Sequence, residues 1–218
     1  MNNLLLRRRM MMQAGGSPTP PPTTYQYVEY IQTPNNGTAC IVLPITTADF
    51  DTIDIQFEAL SVNFSVIYGQ WGSGNYGNSF ECYIDSNKMQ VNPANAIYYV
   101  ISTLVPSKFR IVAETDLTAN RTASLYDGNN NLLQQRNRTY SIANNYNISL
   151  FCVRKSYYNN NDNVKFISAT FSLNNIIVAQ YLPCYRINDN IKGVHDIVND
   201  DFRTNDGTGD FILGPDIN

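Results

Sequence analysis

Residues 51–58 (DTIDIQFE) alternate without a break: Ile53, Ile55 and Phe57 fall on one side, Asp54, Gln56 and Glu58 on the other. A period of two puts successive side chains on opposite faces of a strand, so this stretch belongs to a sheet with one dry and one wet face. Similar segments recur every 8–12 residues or so, a spacing that marks an all-β sandwich or barrel. They lie at 25–33, 38–43, 62–71, 79–85, 96–103, 108–114, 122–127, 132–135, 147–154, 164–173 and 176–182. Between them sit DSNK, DGNNN, ANN, YNNNDN and LNN, and Asn tolerates the left-handed backbone that tight turns need. No window sustains a helical period; residues 117–119 have room for a single turn at most. The spacing predicts a two-sheet antiparallel jelly-roll sandwich whose alternating segments bury one face against a sheet about 10 Å away. With 15 Tyr, 10 Phe and only 15% charged residues, the chain is rich in side chains that fit a pleated, half-buried surface.

Residues 1–24 break the pattern. Leu4, Leu5, Leu6, Arg7, Arg8, Arg9, Met10, Met11 and Met12 run into Gly15, Gly16 and a stretch holding Pro18, Pro20, Pro21 and Pro22. This divides the chain into an anchor peptide with a Gly/Pro-rich linker (1–24) and a sandwich (25–218). The three arginines are the only charges before residue 24. Without them, 12 basic residues face 18 acidic ones, a balance of −6. A basic leader on an acidic body suits an acidic protein surface or anionic lipid. Nucleic acid is the weakest of the candidate partners, since three arginines match few phosphates and the body repels them. Secretory signals place charge before a continuous apolar segment of about 7–15 residues. Here Leu comes first and Arg interrupts, so the leader reads as retained. No stretch approaches the roughly 20 apolar residues of a membrane span.

Cys40, Cys82, Cys152 and Cys184 lie far apart in apolar runs, without a C-x-x-C pair and with one His in the whole chain. That spacing supports no metal site and no redox motif, and no cofactor is expected. The four read as small buried hydrophobes, with a disulfide as the alternative.

The segment QYLPCYRINDNIKGVHDIVNDDFRTNDGTGDFILGPDI (180–217) resembles the C-terminal part of concanavalin-like, LamG-like jelly-roll modules of phage virion proteins. The resemblance rests on Leu182-Pro183-Cys184-Tyr185-Arg186, Gly193, Asp196-Ile197-Val198, Phe202, Thr204-Asn205, Gly207-Thr208-Gly209, Phe211 and Gly214-Pro215. VEYIQTPNNGT (28–38) and DTIDIQFEA (51–59) resemble the opening strands of the same modules, so both ends of residues 25–217 are covered. The leader is similar to N-terminal peptides on short virion proteins of Bacteroides phages. For a crAss-like phage the resemblance implies a capsid-attached head fibre, in the virion, trimeric, with residues 1–14 inserted into another virion subunit. The C-terminal block itself reads as structural: glycines at tight turns, Asp196 accepting backbone hydrogen bonds at a corner, Phe202 and Phe211 in the core.

No constellation calls for catalysis, and a chain without enzymatic activity is expected. Asp54 and Glu58, with Asp51 nearby, share one strand face, but four residues along a strand separate carboxyls by roughly 13 Å. A retaining glycosidase needs about 5–5.5 Å. His195, the lone histidine, lacks the partners of a triad. Trp71 and Tyr76, on a glycine-rich loop, are the candidates for stacking a sugar; they equally suit closing one end of a sandwich. No Asp/Asn tract has the ligand spacing of a calcium loop. The expected function is therefore a virion structural protein. A leader of 14 residues reaches about 46–50 Å extended. Its apolar side chains bring about 1.5–3 kcal/mol each when buried. The alternative is an adhesin whose body contacts host glycan.

Overall fold

The computed structural model describes residues 24–33, 38–70, 80–92, 97–101, 104–114, 121–138, 146–153, 157–158 and 164–217. In chain order the strands are β1 (Tyr25–Tyr27), β2 (Ile31–Gln32), β3 (Ile41–Thr46), β4 (Thr52–Ala59), β5 (Ser65–Gln70), β6 (Glu81–Asp85) and β7 (Lys88–Asn92). They continue with β8 (Ile97–Val100), β9 (Ser107–Glu114), β10 (Arg121–Asp127), β11 (Leu132–Arg138), β12 (Asn147–Leu150) and β13 (Cys152–Val153). The last are β14 (Tyr157–Tyr158), β15 (Val164–Leu173), β16 (Ile176–Arg186), β17 (Lys192–Asp196), β18 (Asp201–Thr204) and β19 (Ile212–Leu213). Among the described residues there is no helix, and every strand pairing is antiparallel.

Two sheets form a β-sandwich. The larger runs β11-β10-β9-β4-β15-β16-β17-β18, with β1, β2 and β19 attached; the smaller runs β3-β12-β5-β6-β7-β8. The alternation read from residues 51–58 is realised in β4: Ile53, Ile55, Phe57 and Ala59 are fully buried, and Gln56 between them is exposed. Both sheets feed one hydrophobic core. Phe57, Phe109, Phe166 and Phe171 come from the large sheet, Tyr68, Ile84 and Ile148 from the small one. Phe171 stands edge-on to both Phe50 and Tyr181, an arrangement that suits the ring quadrupoles.

Two distant segments of the chain are also tied covalently. Cys40, just before β3, is disulfide-bonded to Cys152 of β13, 112 residues on, whereas Cys82 and Cys184 are free and buried. Two of the four cysteines thus take the hydrophobe role and two the alternative.

Strand ends differ from expectation where turns are tight. Residues 25–33 split into β1 and β2. The expected turn DSNK closes a hairpin through left-handed Ser86 and Asn87, and its returning strand β7 falls where no strand was expected. Asn174 and Asn175, both left-handed, close β15–β16 in the same way. The expected turn at 117–119 lies outside the described residues.

Candidate functional site

The two ends of the body are sewn together, and the leader joins the body at that seam. β16 is long enough to pair with β15 along its first half and with β1 along its second, Tyr25 facing Arg186 and Tyr27 facing Cys184. The Ile187 N–H donates to the Thr24 carbonyl at 3.0 Å, fixing the last residue before β1. On its other side β1 meets the C-terminus: Ile217 N–H donates to the Tyr27 carbonyl at 2.9 Å, Glu29 N–H to Pro215 at 2.8 Å, and Gly214 N–H to Tyr30 at 2.9 Å. The leader thus issues from a strand held on both edges.

A buried histidine locks this root. His195 on β17 is 7% exposed. Its Nδ1 lies 2.8 Å from the Tyr27 hydroxyl and its Nε2 3.0 Å from Asp200 Oδ1. With Nδ1 accepting from the Tyr27 hydroxyl and Nε2–H donating to Asp200, all three groups find a partner. Tyr25 stacks on the imidazole at 4.1 Å and on Phe202 at 5.4 Å, and the Arg186 guanidinium sits over Phe202. Burial, then the Asp200 carboxylate, raises the Tyr25 phenol above its usual range; burial, then the neighbouring Cys184, raises Tyr27. Both phenols stay protonated here. Nothing in the sequence signals the pairing of His195 with Tyr27, 168 residues away.

The C-terminal motif acts as a clamp between sheets. Asn205 Oδ1 accepts from the Cys40 and Gly207 N–H groups at 2.9 and 3.0 Å, while its Nδ2 donates to the Thr38 and Gly209 carbonyls at 3.1 and 2.9 Å. Asp206 Oδ2 accepts from Val42 N–H at 2.8 Å. Thr38 and Thr208 exchange backbone bonds, each at 2.9 Å. A Cβ on Gly207 would run into the Thr38 carbonyl, so the close approach requires glycine there. Asp196 accepts from the Gln180 and Val198 N–H groups at 3.0 Å each, the corner role read from its position. Phe211 is in the core; Phe202 is half-buried beneath Tyr25 rather than core-filling.

The carboxylates of β4 are engaged separately. Arg110 makes a bidentate pair with Asp54, Nη2 to Oδ2 at 2.6 Å, and Lys165 pairs with Glu58 at 3.2 Å. Asp51 accepts from Asn174 N–H at 2.6 Å. No two of these carboxyls share a site. A different polar group is buried at one end of the small sheet: Thr47, Gln70 and Glu81 are at most 8% exposed. Gln70 Oε1 accepts from Phe80 N–H at 3.0 Å. Among the described residues no cluster of His, Cys, Asp or Glu suits a metal ion. Leu4–Met12, Trp71 and Tyr76 lie outside the described residues.

No protein-family model and no curated protein matches the chain. Among solved structures, it is similar to SCP-B, a member of the eqolisin family of peptidases, in complex with the tripeptide Ala-Ile-His: 12% identity, 72% of this chain, 89% of that one, TM-score 0.36. Scytalido-glutamic peptidase with a peptide-based transition-state analogue gives 12% identity, 72% and 90% coverage, and a TM-score of 0.35. The expectation of a chain without enzymatic activity is corrected by these matches: the solved structures found are enzymes, and the expectation is not carried forward. It was built on carboxylates spaced along one strand and on the lone histidine. At these TM-scores the likeness assigns neither substrate nor catalytic residue to this chain.

Proposed function

We propose that the chain is a virion structural protein of the head-fibre kind, attached through residues 1–14 to another virion subunit and displaying its β-sandwich outside. The observation that carries this reading is the root of the leader. β1 is hydrogen-bonded to β16 on one edge and to the C-terminal segment on the other, so a pull on the leader loads many bonds of the large sheet at once. Leu4–Leu6 and Met10–Met12 supply apolar contact to the receiving subunit, and Arg7–Arg9 pair with its carboxylates. Assembly as a homotrimer multiplies the anchor by avidity. The Cys40–Cys152 disulfide suits display at a particle surface, where oxidising conditions let such bonds persist.

The test is removal of residues 1–24 followed by recovery of particles. The truncated body is expected to stay folded and to be missing from purified particles. Its incorporation at the normal level would sink the anchor.

A further inference from the structure

One apolar surface of the body is uncovered. Leu173, Ile176 and Ile177 on the β15–β16 hairpin and Ile197 and Val198 on the β17–β18 turn are 38% to 68% exposed. The two turns meet at one end of the large sheet: Ile197 N–H donates to the Gln180 carbonyl at 3.0 Å, and Asn199 Nδ2 to the Val178 carbonyl at 2.8 Å. Each turn is held by a carboxylate, Asp51 on Asn174 and Asp196 on Val198, so the aliphatic side chains project from ordered backbone. The rim is acidic. Asp200, on the β17–β18 turn, is exposed and Asp51, bonded to Asn174, is half-buried; among the described residues neither is paired with Lys or Arg. Asp200 faces His195, and Arg203, which leaves this turn on β18, is held by Asp201 at 2.6 Å.

A cluster of aliphatics with an acidic rim fits a segment that alternates apolar and cationic blocks, and this chain contains one in Leu4–Met12. We propose that this tip is the docking surface for residues 4–12 of the same chain. Reach permits it. Tyr25 pairs with Arg186 at one end of β16 and Ile176 lies ten residues away at the other, about 33 Å along a strand. The spacer 13–24 can cover about 40–43 Å fully extended. With its four prolines in polyproline II geometry it covers roughly 37 Å, close to the span required. Docking covers the five exposed apolar residues of the tip, which would otherwise promote association, and releases them when a stronger partner takes the leader. The inference rests on the tip and the leader's composition and holds or fails independently of the particle reading.

The test is methyl NMR on the full-length chain and two leader variants, Arg7→Glu/Arg8→Glu/Arg9→Glu and Leu4→Ser/Leu5→Ser/Leu6→Ser. Neither variant touches the folded body. In both, the methyl resonances of Leu173, Ile176, Ile177, Ile197 and Val198 are expected to shift, with those of buried Ile55 and Ile111 unmoved. Wild-type positions are expected to stay constant over a tenfold dilution. Tip methyls that match wild type in both variants overturn the proposal. Tip methyls that drift on dilution overturn it in favour of a contact between copies.

Discussion

At the scale of single residues, the seam is held by side chains that satisfy backbone groups rather than by ion pairs. Asn205 shows why its amide is specific. It accepts two N–H groups through Oδ1 and offers Nδ2 to the carbonyls of Thr38 and Gly209. Asn205→Asp keeps the acceptor but sets a carboxylate against those carbonyls, which costs about 1–3 kcal/mol for the lost donors plus the repulsion. Urea unfolding at pH 7 is expected to show Asn205→Asp less stable than Asn205→Ala, with the gap closing as the new carboxyl is protonated. Buried thiols lead to a second prediction. Burial pushes Cys184 up to about 12 from an ordinary value near 9.0, and burial followed by the Glu81 carboxylate raises Cys82. A raised folded value means the native state keeps a proton that the unfolded chain has lost. Stability is therefore intact below about pH 9 and falls as pH climbs above it, toward 12 for Cys184, each thiol removing about 1.4 kcal/mol per pH unit. Urea midpoints between pH 8 and 11 should decline, and Cys184→Ala should flatten the decline.

Among the elements, the disulfide works on the denatured chain. Closing a loop between residues 112 apart costs the unfolded ensemble about 4–5 kcal/mol in the chain-entropy account. Cys40→Ala/Cys152→Ala is expected to lose 2–5 kcal/mol of stability, about the range for native disulfides, and reducing agent should do the same to the wild type but nothing to the variant. A reductant-insensitive wild type would show that the bond adds no constraint. The strands were legible from sequence where one face is wet: β4 falls within a residue of its expected position because its alternation is clean, and β15 keeps its expected bounds although a register shift at Phe166–Ser168 interrupts its alternation. β7 was not. Ser86-Asn87 is a two-residue hairpin with both residues left-handed, but it lacks the glycine that makes such turns conspicuous, so its return strand merged into loop. The Tyr27–His195 contact and the cysteine pairing were illegible for another reason: each joins residues far apart in sequence whose proximity only the fold creates.

For the whole molecule, the consequence is that residues 25–32 and 212–217 stabilise each other. β19 pairs with β2, Val28 bridges Asp216, and Gln26 Nε2 donates to the Ile217 carbonyl at 3.1 Å. The opposite edge of β1 belongs to β16, so removing the C-terminal segment leaves the leader's root bonded on one side only. It also strips Gly214 from the Tyr30 ring and opens the carbonyls of Tyr27 and Tyr30 to water. The core keeps Phe211 and loses the partly buried Leu213 packed against it, while Ile212 and Ile217 are 39% and 52% exposed. Deleting residues 212–218 is therefore expected to leave global stability lowered only modestly, within about 1–3 kcal/mol, the range of an ordinary damaging change. Its effect should concentrate on local opening at β1 and β2, a subunit that unfolds below the global cost. Hydrogen exchange resolves the two: amides of residues 25–32 should exchange at least tenfold faster in the shortened chain, while those of β4 and β9 keep their protection. Equal slowing or quickening across all strands would mean that the termini are part of one cooperative unit. The leader would then be held by the fold as a whole and not by the seam.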